Sequence, residues 1–156
     1  MTYKEYKDKH QAEYNALPIF YAFSDSQFIE ALRERGLTLE QKDQVTRLGQ
    51  FGGFCLKKDL PVIKEWLAKP DELAELMKDP DFAFDAFYTE MANHEYHINW
   101  EGDWDVLNCF GHIPSSDPDE SLGHYFDLCG FEPQTRAAYS KARRQFLLDA
   151  DSNDWY

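Results

Sequence analysis

The chain has 156 residues, with 16 Lys and Arg against 29 Asp and Glu and a formal net charge of −13 at pH 7. That length fits a single globular domain, 1–156, with a substantial core, and 12 Phe, 9 Tyr and 4 Trp supply large rings to fill it. So acidic a body argues against direct contact with nucleic acid or an anionic membrane and favours cations and basic protein surfaces, and no apolar run approaches the ~20 residues of a membrane span.

Tyr3, Tyr6, His10, Tyr14 and Leu17 recur at three- and four-residue spacing and predict a helix over 3–16, stopped by Pro18. The run Ile19 to Phe23 is short, apolar and aromatic, and reads as a strand or a buried link. Ser24 with Gln27 resembles a capping box for a helix that buries Phe28, Ile29 and Leu32 and ends at Gly36. Thr38 with Gln41 repeats the device and predicts a further helix that carries Val45 and Leu48. The stretch QFGGFCL, 50–56, reads as a turn or bent strand that could pair with 19–23. Asp59 is expected to cap a helix over Val62, Ile63, Trp66 and Leu67, and Pro70 to open a short one through Lys78.

Asp79-Pro80-Asp81 opens a helix expected to run over 80–98. Phe84, Phe87, Met91, His94 and Ile98 fall on one face, and Asp81, Asp85, Tyr88, Ala92 and Glu95 on a roughly opposite stripe. Residues 100–105 read as a turn with aromatic anchors, and 104–110 as a short helix. Asp117-Pro118 is expected to start a helix burying Leu122, Phe126 and Cys129, closed by Gly130. Pro133 begins the last helix, and 149–156 reads as a loose tail apart from Trp155 and Tyr156. The sum is a mainly α fold, about seven helices around one core, with a small two-stranded β element near 19–23 and 53–57.

Charge is unevenly placed along the chain. Residues 1–69 carry 11 Lys and Arg against 10 Asp and Glu, residues 136–156 carry 4 against 3, and residues 70–135 carry 16 acids and one base, Lys78. The acidic segment is also aromatic, unlike a solvated tail. Asp81, Asp85, Glu95, Glu101, Asp103 and Asp105 are therefore the residues expected to meet a basic partner. Alternating oxygens at Glu101, Asp103 and Asp105 lack the EF-hand order of ligands and glycine.

Glu90, His94 and His97 share one side of the predicted helix. A carboxylate with two imidazoles suits zinc or iron, yet the spacing is not H-E-x-x-H and no fourth ligand is marked, so no metal and no cofactor is favoured. Gly49 to Gly53 lacks the Lys-Ser/Thr of a phosphate loop. No residue is marked as catalytic: Cys109 and His112 are three apart, but nothing activates the thiol. The odd number of separated cysteines, Cys55, Cys109 and Cys129, fits free and mostly buried thiols. With no secretory signal at the polar N-terminus, a cytoplasmic location is expected.

The segments LPIFYAFSDSQF, GGFCLKKD and ANHEYHINWEGDWDVLNCFG resemble an uncharacterised family of short acidic proteins in bacterial genomes, phages and mobile elements. The resemblance covers most of the chain. It implies a setting in which accessory and counter-defence proteins are common, and it supplies no activity or catalytic residue. The expected function is a non-enzymatic acidic interaction protein that docks a basic partner, with mimicry of DNA against a nucleic-acid-handling or defence protein as one form. The alternatives are a metal-binding enzyme or sensor built on the Glu/His/His cluster, and an accessory protein with no charge-based partner.

Overall fold

The computed structural model describes residues 1–49, 52–117 and 120–156. The fold is mainly α, 62% helical, with one small antiparallel sheet. The helices are α1 Tyr3–Asn15, α2 Asp25–Glu34, α3 Leu60–Leu67, α4 Glu72–Leu76, α5 Pro80–Asn93, α6 Gly102–Leu107, α7 Leu122–Cys129 and α8 Pro133–Asn153. The strands are β1 Val45–Leu48 and β2 Gly53–Leu56. Two compact units emerge: Met1–Lys9 with Asp71–Tyr156, and His10–Pro70. No helix among the described residues is long and apolar enough to cross a membrane.

In the unit Met1–Lys9 with Asp71–Tyr156, α5 and α8 pack along each other through rings and alanines. Phe87 is fully buried and meets Tyr139, Phe110 and Phe131 edge-on, at centroid distances of 5.0, 5.0 and 5.5 Å. Ala83, Ala86, Ala138 and Ala142, all buried, let the helices approach. Asp79 caps α5 by accepting from the Asp81 N–H, and Pro80 occupies the first turn, where its missing N–H costs nothing. Ser121 caps α7, and Asp71 caps α4.

In the unit His10–Pro70, Val45, Thr46, Arg47 and Leu48 pair with Leu56, Cys55, Phe54 and Gly53. Leu48, Cys55 and Ile63 form a small core with Ile19 and Leu60 at its edge. The Ser24 hydroxyl caps α2 by accepting from the Gln27 N–H at 3.2 Å.

Several elements depart from expectation. The Thr38–Gln41 box forms, but it opens only a 3-10 helix, Leu39–Gln44. Val45 to Leu48 is then strand, so the β partner of 53–56 is 45–48, and the segment 19–23 contributes a single bridge, Phe20 to Phe54. Residues 50 and 51 of the expected turn lie outside the described residues. Helix α5 ends at Asn93 instead of 98, and α6 spans Gly102–Leu107 instead of 104–110. Helix α7 starts at Leu122, after Ser121; Pro118, expected to start it, lies outside the described residues. The final helix continues to Asn153, and Trp155 packs on Phe146 with centroids 5.5 Å apart, so 149–153 is not a loose tail. Of the cysteines only Cys55 is buried; Cys129 is half-buried and Cys109 exposed.

Candidate functional site

Helix α5 presents Glu90 to the core and His94 at its C-terminal cap, one turn apart on the same side. The Glu90 side chain is buried, so its oxygens need partners. Tyr3 Oη donates to Oε1 at 2.7 Å, Lys7 Nζ donates to the same oxygen at 3.1 Å, and Asn93 Nδ2 donates to Oε2 at 3.4 Å. Burial alone would raise the Glu90 pKa; the bonds from Tyr3 and Lys7 outweigh it and hold the carboxyl below its ordinary range.

The second oxygen faces two further groups. His94 Nε2 lies 3.5 Å from Glu90 Oε2, Cys109 Sγ lies 3.7 Å from the same oxygen, and Cys109 Sγ lies 3.6 Å from His94 Nε2. The turn after α6 brings Cys109 in, and no spacing in the sequence marks it. Burial of the sulfur, and then the charge of Glu90, push the thiol up to about 12. It is therefore protonated near neutrality, and it lies within donor reach of Glu90 Oε2 and of the Asp105 carbonyl, 3.4 Å away.

This is not a nucleophilic triad. A thiol–imidazole–carboxylate relay needs the carboxylate on the ring nitrogen away from the nucleophile. Here Glu90 and Cys109 both face Nε2, and the thiol is disfavoured as an anion. What the three atoms can do is converge on a cation, and Glu90, His94 and Cys109 form the cluster with metal-ligand spacing among the described residues.

His97, the third ligand expected from the sequence, is elsewhere. Its Nε2 lies 3.2 Å from the Trp155 carbonyl, and its ring sits against Phe146, Trp155 and Tyr156. A carbonyl only accepts, so the proton belongs on Nε2. The cause is the early end of α5: Glu95 adopts φ +49° and turns the chain away from the helix axis.

The six acidic candidates divide by exposure. Asp81 and Glu95 are exposed, Glu101 is half-buried, and none of their carboxylates takes a hydrogen bond or ion pair among the described residues. Asp85 accepts from the Tyr3 N–H at 2.8 Å. Asp103 accepts from Tyr96 Oη at 2.7 Å and from Tyr139 Oη. Asp105 accepts from Asn99 Nδ2 at 2.7 Å. These three are half-buried and fasten segments of their own unit together. Burial, and then Asp103, raise the pKa of Tyr96 and Tyr139, so both remain donors.

The unit His10–Pro70 has a shallow groove of about 430 Å³ lined by Phe23, Phe28, Val45, Phe54, Lys42 and Arg47 among others. Its walls are mainly aromatic, with Lys42, Arg47 and Asp25 as the charged members.

No curated protein and no solved structure matches the chain. A family model does, over residues 2–124, which include Glu90, His94 and Cys109 and leave α8 outside. The chain belongs to the family of unknown function DUF7659.

Proposed function

We propose that the protein is a non-enzymatic interaction protein whose acidic unit docks a basic partner. A protein surface that handles nucleic acid is the partner class that fits, with the carboxylates standing in for phosphates. One observation carries the reading. The unit Met1–Lys9 with Asp71–Tyr156 holds 21 Asp and Glu against 8 Lys and Arg, while His10–Pro70 holds 8 against 8. The whole excess of −13 thus resides in one compact body.

Such a field steers a cationic partner over several ångströms and forms charge-assisted bonds to Arg and Lys on contact. Asp81, Glu95 and the half-buried Glu101 are the available members of the expected contact set; Asp85, Asp103 and Asp105 hold the fold instead. The setting we propose is the cytoplasm of a bacterium, with phages and mobile elements as the source that the family resemblance implies.

The test is affinity capture from host extract, with elution by salt or by short duplex DNA at constant salt. The reading expects the same retained protein to leave in both eluates. Retention that neither salt nor DNA disturbs contradicts it.

A further inference from the structure

We infer that Glu90, His94 and Cys109 form a zinc site with one coordination position open to solvent. The inference is independent of the docking reading and rests on the shape of the ligand triangle. Its edges are 3.5 Å from Glu90 Oε2 to His94 Nε2, 3.6 Å from His94 Nε2 to Cys109 Sγ, and 3.7 Å from Cys109 Sγ to Glu90 Oε2. Zinc bonds of ~2.0 Å to oxygen and nitrogen and ~2.3 Å to sulfur, at a tetrahedral angle, separate ligand atoms by about 3.3–3.6 Å. The three atoms therefore sit almost where one face of a zinc tetrahedron requires them.

The donor set has the same preference. Thiolate with imidazole and carboxylate suits zinc, whereas calcium and magnesium take oxygen alone. The outer bonds suit it too. Glu90 commits Oε1 to the buried Tyr3 hydroxyl, which fixes the carboxylate with Oε2 towards the other two ligands. Lys7 is half exposed, at 53% of its side chain, so its ammonium can withdraw into water as the metal arrives. His94 keeps 34% of its side chain exposed and the Cys109 residue reaches the surface while its sulfur faces Glu90, so the ion would enter, and a water or anionic ligand complete the site, from the exposed His94–Cys109 side. On binding, the thiol proton leaves to solvent and the Cys109 sulfur bonds the metal as a thiolate.

The probes are Co²⁺ and Zn²⁺ alone, added to the full chain purified without an affinity tag and stripped by a chelator. One equivalent of Co²⁺ is expected to bind with a thiolate charge-transfer band and the intense visible bands of tetrahedral coordination, and Zn²⁺ to displace it. Cys109→Ser should remove the charge-transfer band, and His94→Ala should weaken zinc binding by at least about tenfold. His97→Ala should leave both unchanged. In the unmodified chain, Zn²⁺ should slow alkylation of Cys109 and not that of Cys129 at mildly alkaline pH, where both thiols ionise enough to react, a readout that needs no variant to fold. Binding that is absent, that survives both ligand substitutions, that lacks the sulfur band, or that leaves Cys109 unprotected overturns the inference.

Discussion

A buried carboxylate persists only when its oxygens are bonded, and Glu90 meets that condition through Tyr3, Lys7 and Asn93. Tyr3→Phe removes a charge-assisted bond and leaves Oε1 to Lys7. Urea unfolding should show a loss of about 1.5–3 kcal/mol. Cys129 sets a pH dependence. Burial pushes its thiol up to about 11, against about 8.5 in an unfolded chain. The folded value is the higher, so the unfolded state releases its proton first. The contribution is intact below about pH 8.5 and is lost as pH rises towards about 11. Cys109 acts in the same direction, so the comparison must be with Cys129→Ala: that variant should lose less stability than the unmodified protein between those pH values. At this scale the sequence was partly legible. Glu90 and His94 are four apart on one helix, a spacing that can be read directly. Cys109 was not legible, because only the fold after α6 carries it across.

At the scale of elements, helix ends decided most of what was missed. Helices α2, α7 and α5 close in the same way, as does α8 at Asp154 (φ +52°), where Trp155 N–H reaches the Ala150 carbonyl. Leu37 N–H reaches the Leu32 carbonyl past Gly36, Phe131 N–H reaches Phe126 past Gly130, and Tyr96 N–H reaches Met91 past Glu95. In each case the intervening residue has positive φ: +75° at Gly36, +69° at Gly130 and +49° at Glu95. Glycine announced the first two stops. Glutamate gave no such signal at the third, so the apolar periodicity carried the expected helix on to 98 and placed His97 beside His94. Glu95→Gly should relieve left-handed strain and raise the unfolding free energy by up to about 1 kcal/mol, measured by denaturant titration. The strand Val45–Leu48 was hidden for a different reason: a capping box is genuine evidence of a helical turn, and it says nothing of how long the turn lasts. At Gly102 the constraint is space. An added Cβ would lie 2.6 Å from a ring carbon of Tyr96, whose hydroxyl bonds Asp103. Gly102→Ala should therefore destabilise, with altered tyrosine fluorescence as a second readout.

At the scale of the molecule, the mainly α fold was legible because caps and apolar periodicity recur along the chain and agree with each other, whereas of the small sheet only the strand at 53–56 was. Phe87 tests the larger core most simply: Phe87→Ala should cost about 3–5 kcal/mol, since the ring is fully buried among other rings. Charge was legible as a segment, 70–135, but composition could not tell surface carboxylates from those that accept internal bonds. The docking proposal is the central claim, and the variants that test it must spare the structural acids. Asp81→Lys with Glu95→Lys alters exposed residues only, while Glu30→Lys with Glu34→Lys makes an equal reversal in the neutral unit. The deciding measurement is the affinity of the captured partner for these two double variants and the unmodified chain as salt rises from about 0.1 M to about 1 M, over which the Debye length shrinks from about 10 Å to about 3 Å. The account predicts a steep fall with salt for the unmodified chain, a marked loss for the first pair and little change for the second. Salt-insensitive binding, or equal losses from both pairs, would contradict it.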